Sequence, residues 1–342
     1  MKESSAANIG EGSNEKHVNL RKREKQSQLL ISRQKLEMAT TCSIPMIDLH
    51  DFPNQSSKLM AACEEWGCFR LLNHHDILPS TLMSEMNSVA KSLFDLPVEI
   101  KRRNLDVVIG SGYTAGTEKS PLYEAMGMYD IPVRYDVETF CSQLDATPHQ
   151  REIITKYVGA VHELLMSIAE KLAEGFGVKS ENIGFQNWMF QFRMNKYHFT
   201  PQTVGLTGVE THTDSGFIYI VQIDEGVCGL EVMDKSGHFI PVDPHPGTII
   251  VNLGDIAKVW SNGRFCNVKH RVQCKEPTIR LSIASGLLGP REAIEPLAEL
   301  VNIDHPCVYV PTTYEDYRKF RFSKDLQAGE ALVLQQTSSF VN

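Results

Sequence analysis

Over its first forty or so residues the chain shows no apolar periodicity; charged and polar positions dominate, as in Leu20-Arg21-Lys22-Arg23-Glu24-Lys25-Gln26. Such a stretch buries too little apolar surface to offset its ordering entropy, so residues 1–42 are expected to form a disordered N-terminal extension. Its acids, Glu3, Glu11, Glu15 and Glu24, argue against a transit peptide, and Met38 could serve as an alternative start. Ile44 to Leu49 then reads as a short strand, Ser56 to Trp66 as a helix and Gly67 to Leu72 as a second strand. Pro79 suits the first position of a helix reaching about Phe94, and Asp95-Leu96-Pro97 begins another short one. From Pro148 to about Phe176, Ile154, Tyr157, Val161, Leu164, Leu165, Ile168 and Leu172 recur at three- and four-residue steps. That spacing predicts a long amphipathic helix, with Gly175 and Gly177 placed to end it.

The period changes after Gln186. Short β-rich runs occur at 189–197, 217–223, 229–233, 247–252, 270–274 and 279–286, and Asp234-Lys235-Ser236-Gly237 suits a hairpin turn. Residues 185–290 are therefore expected to be all-β, as a sandwich or barrel. Residues 43–184 form a helical, mixed α/β region packing on it. Residues 291–342 form a C-terminal helical segment and tail, with a helix near Tyr314 to Arg321.

The chain has 342 residues, 42% hydrophobic and 22% charged, enough for a full core. A net charge of -8 offers no general attraction for nucleic acid or an anionic membrane. The expected partner is a small-molecule substrate, bound by a monomer or weak homo-oligomer. The eight cysteines are scattered without a CxxC pair, which argues against a zinc ribbon and a disulfide framework. Reduced thiols, no bilayer-spanning apolar run and no signal-peptide core point to the cytoplasm.

The chemistry centres on Glu210-Thr211-His212-Thr213-Asp214-Ser215. On an extended strand, residues two apart share a face, so His212 and Asp214 can address one ion. His270, at the start of another strand, supplies a third ligand. Two imidazoles and one carboxylate make the facial triad of non-haem Fe(II) oxygenases, which leaves three positions open. With twelve histidines in the chain, any one is more often packed or solvated than a ligand, and His74, His75, His238 and His245 are read as solvated or locally hydrogen-bonded. The β-rich setting lifts His212 and Asp214 above that base rate, as does a second pattern, Thr278-Ile279-Arg280-Leu281-Ser282-Ile283. Arg280 and Ser282 share a strand face among apolar neighbours. A buried guanidinium needs an anionic partner, and its planar fork suits a carboxylate. An internal salt bridge would satisfy it, but ten residues beyond a metal ligand an external dicarboxylate is the preferred partner.

These motifs make the chain similar, from Ile44 to Arg321, to the plant 2-oxoglutarate/Fe(II)-dependent dioxygenases. His212/Asp214, His270 and Arg280/Ser282 match the family's H-x-D, distal H and R-x-S without a gap. Val251-Asn252-Leu253-Gly254-Asp255, Trp260-Ser261-Asn262-Gly263-Arg264 and Trp66-Gly67-Cys68-Phe69 add to the resemblance. It implies a β-rich fold with flanking helices, built on a jelly-roll (double-stranded β-helix, cupin-like) core. It also implies Fe(II), with 2-oxoglutarate and O2 as cosubstrates and ascorbate as a candidate reductant. Asn195 and Tyr197 are carried over as 2-oxoglutarate contacts. Where most members continue with a proline- and cysteine-containing run, this chain has His198-Phe199-Thr200. That departure, with Pro121 to Ala125, Gly110 to Tyr113 and His212 to Phe217, looks like the branch that oxidises the auxin indole-3-acetic acid to 2-oxindole-3-acetic acid.

Tyr113, Tyr123, Phe192, Phe199, Phe217 and Trp260 are candidates for enclosing an indole-sized ring, each weighed against plain core packing. Arg193 is read as structural. The rival readings are a 2-oxoglutarate-dependent hydroxylase, desaturase or demethylase of another metabolite, and a non-catalytic β-sandwich that binds a small ligand. An iron enzyme without 2-oxoglutarate, or a zinc hydrolase, would leave Arg280 without a role.

Overall fold

Strand β1 (Met46–Asp48) pairs in parallel with β2 (Cys68–Leu72), and α1 (Ser56–Glu65) connects them. The structure, a computed structural model, describes residues 44–108, 110–116, 120–129, 135–179, 183–223 and 226–333, so the expected extension 1–42 lies outside the described residues. Helix α2 (Ser80–Phe94) starts one residue later than expected, with Pro79 as its cap, and α3 (Val98–Lys101) follows. Three elements that the pattern does not predict come next: β3 (Thr114–Ala115), β4 (Tyr123–Tyr129) and α4 (Tyr135–Gln143). Strand β4 escapes notice because six of its seven residues are buried, which erases the in–out alternation. Its Gly127 also has low strand propensity but is required there, since a Cβ would lie 2.3 Å from Phe192 O.

Helix α5 (Pro148–Gly175) begins where expected, for a physical reason. Thr147 and Gln150 form a reciprocal capping box, and Pro148 occupies the first turn, where no N–H is needed. At its end the Val178 N–H reaches Ala173 O, the Gly177 N–H reaches Glu174 O, and Gly177 takes φ +75°. This is the left-handed termination that glycine favours.

The chain then runs through β5 (Met189–Tyr197), β6 (Thr207–His212), β7 (Ile218–Ile223), β8 (Leu230–Met233), β9 (Phe239–Pro241) and β10 (Thr248–Leu253). Helix α6 (Asp255–Trp260), β11 (His270–Gln273), β12 (Arg280–Gly289), α7 (Tyr314–Lys324) and α8 (Glu330–Val333) complete it. The β8–β9 hairpin turns where the sequence predicts, with Asp234 Oδ1 accepting from the Ser236 and His238 N–H groups.

Among the described residues, eight strands form one sheet in the order β1-β2-β10-β7-β12-β5-β4-β3, and four form a second, β6-β11-β8-β9. Tyr197, Phe199, Leu230, Val232, Ile250 and Val272 fill the space between the sheets. The other face of the large sheet packs on the helices, with α5 against β7 and β12 and α2 against α5. The result is the expected jelly roll with flanking helices. Strands from residues 46–129 are hydrogen-bonded members of the large sheet, so that sheet spans residue 185.

A Cβ at Gly177 would meet no atom within 4 Å, so only its backbone conformation resists a side chain. Gly177→Ala should therefore lower the unfolding free energy, read by urea titration, by about 1 kcal/mol.

Candidate active site

Register brings the motif residues together. In the β6–β11 pair His212 stands directly opposite His270, with ring centroids 4.2 Å apart. The strand ends at His212, so Asp214 does not reach the centre along a strand face as expected. It arrives from the turn that follows, with Oδ1 4.0 Å from His212 Nε2 and Oδ2 3.8 Å from His270 Nε2. The three ligand atoms lie within 4.8 Å of one another, a donor set able to hold one divalent ion. Both Nδ1 atoms face backbone carbonyls, Glu210 O at 2.8 Å and Val268 O at 3.2 Å. These contacts orient the rings and direct Nε2 inward. Burial, helped by neighbouring His270, pushes the His212 imidazole down to about 4, so it is neutral at pH 7 and keeps a lone pair to offer.

The second group is assembled the same way. On β12 and β5, Arg280 opposes Tyr197 and Ser282 opposes Asn195, so two cross-strand pairs hold all four expected contacts. All four are buried. The Arg280 guanidinium lies 5.1 Å over the Tyr197 ring, Asn195 Nδ2 is 3.4 Å from Ser282 Oγ, and Tyr123 Oη donates to Asn195 Oδ1 at 2.7 Å. The histidines, Asp214 and these four residues line one cavity of about 350 Å³, within the usual range for a small-molecule site.

The sequence and fold that build this cavity match known proteins. Residues 188–287 match the 2OG-Fe(II) oxygenase superfamily, and residues 44–132 match the N-terminal region of non-haem dioxygenases in morphine synthesis. The 2-oxoglutarate-dependent dioxygenase DAO of Oryza sativa is 45% identical over 296 residues, covering 84% of this chain and 97% of its own. The chain belongs to the 2OG-Fe(II) oxygenase superfamily. It is a 2-oxoglutarate-dependent dioxygenase that uses Fe(II), 2-oxoglutarate and O2 on a small-molecule substrate. Among solved structures it resembles dioxygenase for auxin oxidation 1 from Arabidopsis thaliana in complex with 2-oxoglutarate. That likeness has 52% identity and a TM-score of 0.74, covering 77% of this chain and 99% of that one. The dioxygenase for auxin oxidation in rice gives 44% identity and a TM-score of 0.79, covering 86% and 100%.

Of the six aromatic candidates in this oxygenase, Tyr123 alone lines the cavity. Phe192 packs against Phe140 and Tyr157, and Phe217 against Trp188 and Trp260, in the core under the helices. Strand alternation explains Phe192: Gln191, Arg193, Asn195 and Tyr197 face the cavity, which leaves Phe192 on the helical side. Phe199 belongs to the layer between the sheets, and Tyr113 donates to Glu124 instead of lining the cavity. His74, expected to be solvated or locally hydrogen-bonded, is fully buried.

Sequence reasoning missed several lining residues: Gln191, Tyr219, Arg318 and Arg321. Gln191 was in phase with Asn195 and Tyr197 and could have been found. Arg318 and Arg321 come from a polar helix a hundred residues away and carry no local signal. Arg193 donates to Tyr123 Oη, Gly112 O and Thr114 Oγ1, which fits its structural reading, and it lines the cavity as well.

The departure at His198 also has a physical partner. Its Nε2 meets Glu124 Oε2 at 2.9 Å, while Lys101 Nζ reaches Oε1 at 2.5 Å and Tyr113 Oη donates to Oε1 at 2.8 Å. The two distinctive segments, 121–125 and 195–200, thus meet at one buried carboxylate. Burial pushes that carboxyl up, but the bonds from His198, Lys101 and Tyr113 outweigh it and hold Glu124 down at about 2.

A depressed carboxyl contributes stability that is complete above its unfolded value of about 4.3 and fades as pH falls toward 2. The stability gap between wild type and Glu124→Gln, read by urea unfolding, should therefore narrow as pH drops from about 5 to about 3. A gap that stays constant over that window would contradict the network.

Proposed function

We propose that this oxygenase oxidises indole-3-acetic acid to 2-oxindole-3-acetic acid, with Fe(II) held by His212, Asp214 and His270. In the same reading 2-oxoglutarate is held by Arg280, Ser282, Asn195 and Tyr197. The observation that carries the substrate is the 52% identity to the Arabidopsis dioxygenase for auxin oxidation, over 99% of that chain. Charge supports it. Among the described lining residues, Arg193, Arg280 and Arg318 outnumber the one carboxylate, Asp214, while Arg321 is paired with Asp255 behind the cavity wall. A cavity so cationic, in a chain of net charge -8, favours small acids over neutral ligands. A dicarboxylate cosubstrate accounts for part of that charge, and an acidic substrate for more.

The roles follow from chemistry. Arg280 presents a planar fork to the distal carboxylate of the keto acid, and the Ser282 hydroxyl donates beside it. Tyr123 fixes Asn195 through its hydroxyl, and Asn195 in turn is set beside Ser282. His212 and His270 would each offer a ring nitrogen, and Asp214 a carboxylate oxygen, to Fe(II), a ligand set that would leave room for a chelating keto acid and oxygen. Bound Fe(II), 2-oxoglutarate and O2 supply the oxidation, in which one oxygen atom enters the substrate and the keto acid leaves as succinate and carbon dioxide. No helix among the described residues is long and apolar enough to cross a membrane, and Cys63, Cys68, Cys141, Cys228, Cys266 and Cys274 are free thiols. Both fit a cytoplasmic enzyme.

Purified protein with Fe(II), 2-oxoglutarate and a panel of small acids tests the reading. Indole-3-acetic acid should give succinate and a product heavier by one oxygen atom in equal amounts. Succinate release with another acid and none with indole-3-acetic acid would overturn the auxin assignment. Asp214→Ala should abolish turnover while leaving the circular dichroism spectrum unchanged, and surviving turnover would overturn the iron assignment.

A further inference from the structure

Asp214 lies beyond the end of β6, so no strand ladder holds it. What holds it instead converges on one buried carboxylate. Asp255, the first residue of α6, is completely buried, and its backbone N–H donates to Asp214 O at 2.8 Å. Asp255 Oδ1 accepts from Asn267 Nδ2 at 2.7 Å, three residues before His270. Asp255 Oδ2 accepts from Tyr317 Oη at 2.6 Å and pairs with Arg321 Nη1. Arg321 Nη2 donates to Thr213 O at 2.9 Å and to Gln327 O at 2.7 Å. The Thr213 N–H in turn donates to Gln327 O at 2.9 Å. Thr213 stands between two of the three metal-ligand candidates. The preceding residue is forced to be small: a Cβ at Gly254 would lie 2.2 Å from Gly216 O and 2.7 Å from Asp214 O.

One ion pair thus ties the turn bearing Asp214, the segment leading to His270 and the C-terminal helix α7. Stability does not require a charged pair at such a place. Well-packed apolar residues often do as well, because desolvation offsets most of the attraction. What an ion pair adds is direction, since each oxygen and nitrogen accepts partners only along fixed lines. Here those lines end on the backbone of the metal turn.

We propose that Asp255 and Arg321 are positioning residues for the metal, so that docking of helix α7 sets metal affinity. This rests on the reading that His212, Asp214 and His270 hold the ion. Outer partners of metal ligands commonly change affinity by roughly 10–100-fold.

The experiment is calorimetric titration of the full chain with Co(II), an air-stable stand-in that needs no turnover. Arg321→Gln and Asp255→Asn should each weaken Co(II) binding by roughly 10–100-fold, with Arg321→Lys recovering part of the loss. Tyr317→Phe keeps the ion pair and should weaken binding by a smaller factor; it decides the matter if the other variants fail to fold. Gly177→Ala, at the end of α5 and outside the cavity lining, should lower Tm yet keep Co(II) affinity within about two-fold of wild type. The proposal is overturned if Arg321→Gln and Tyr317→Phe bind Co(II) like wild type. It is equally overturned if Gly177→Ala loses as much affinity as Arg321→Gln for the same loss of Tm. His212→Ala separates the two claims: equal binding by that variant and wild type sinks the metal reading itself. Loss there with no loss in Arg321→Gln sinks only the positioning role.

Discussion

Antiparallel register is the constraint on which everything chemical in this protein depends. Pairing of β6 with β11 sets His212 opposite His270, and pairing of β12 with β5 sets Arg280 opposite Tyr197 and Ser282 opposite Asn195. Because side chains alternate with a period of two, a slip of one residue in either pair would turn these groups away from the cavity. The apolar layer between the sheets guards against that slip, since the same shift would carry Val272 of β11 or Tyr197 of β5 out of the core. Burial of ordinary hydrophobic residues therefore sets the geometry of the polar ones.

Where the ladders stop, buried polar networks take over. Asp214 reaches the cluster from a turn, and the Asp255–Arg321 pair holds that turn in place of strand hydrogen bonds. At the other wall Lys101, Tyr113 and His198 converge on Glu124, next to Tyr123, whose hydroxyl braces Asn195. Each network joins segments far apart in the chain, and each sits just behind a residue that faces the cavity. Polar groups buried at such depth are costly unless every partner is present, which makes the two networks sensitive to single substitutions.

The division between what could and could not be read in the sequence follows from interaction range. His212, Asp214 and the Arg280/Ser282 pair were legible because their spacing is local, and the strand period places Arg280 and Ser282 on one face. Helix α5 was legible through its apolar stripe, with Pro148 and the flanking glycines marking its ends. Strand β4 was not, because burial on both faces removes alternation. Five of the six aromatic candidates lie off the cavity lining for a related reason: bulk alone does not say which face a residue takes, and Phe192 falls one position out of phase with the cavity side. The Asp255–Arg321 pair spans 66 residues and leaves no local trace. In sequence Asp255 closes the run Val251–Asp255 that carries the family resemblance and Arg321 ends the helix expected near Tyr314 to Arg321, with nothing to pair the two.

The central claim is that the two register-paired groups form one site, with an ion at one wall and a dicarboxylate gripped at the other. Anaerobic titration of 2-oxoglutarate into Fe(II)-loaded wild type and Arg280→Leu tests it most directly. Loss of charge-assisted hydrogen bonds to the distal carboxylate should raise the Kd by roughly 100-fold, with Fe(II) affinity measured alone unchanged. A Kd equal to that of wild type would mean that Arg280 grips nothing in this cavity, and the account would be wrong.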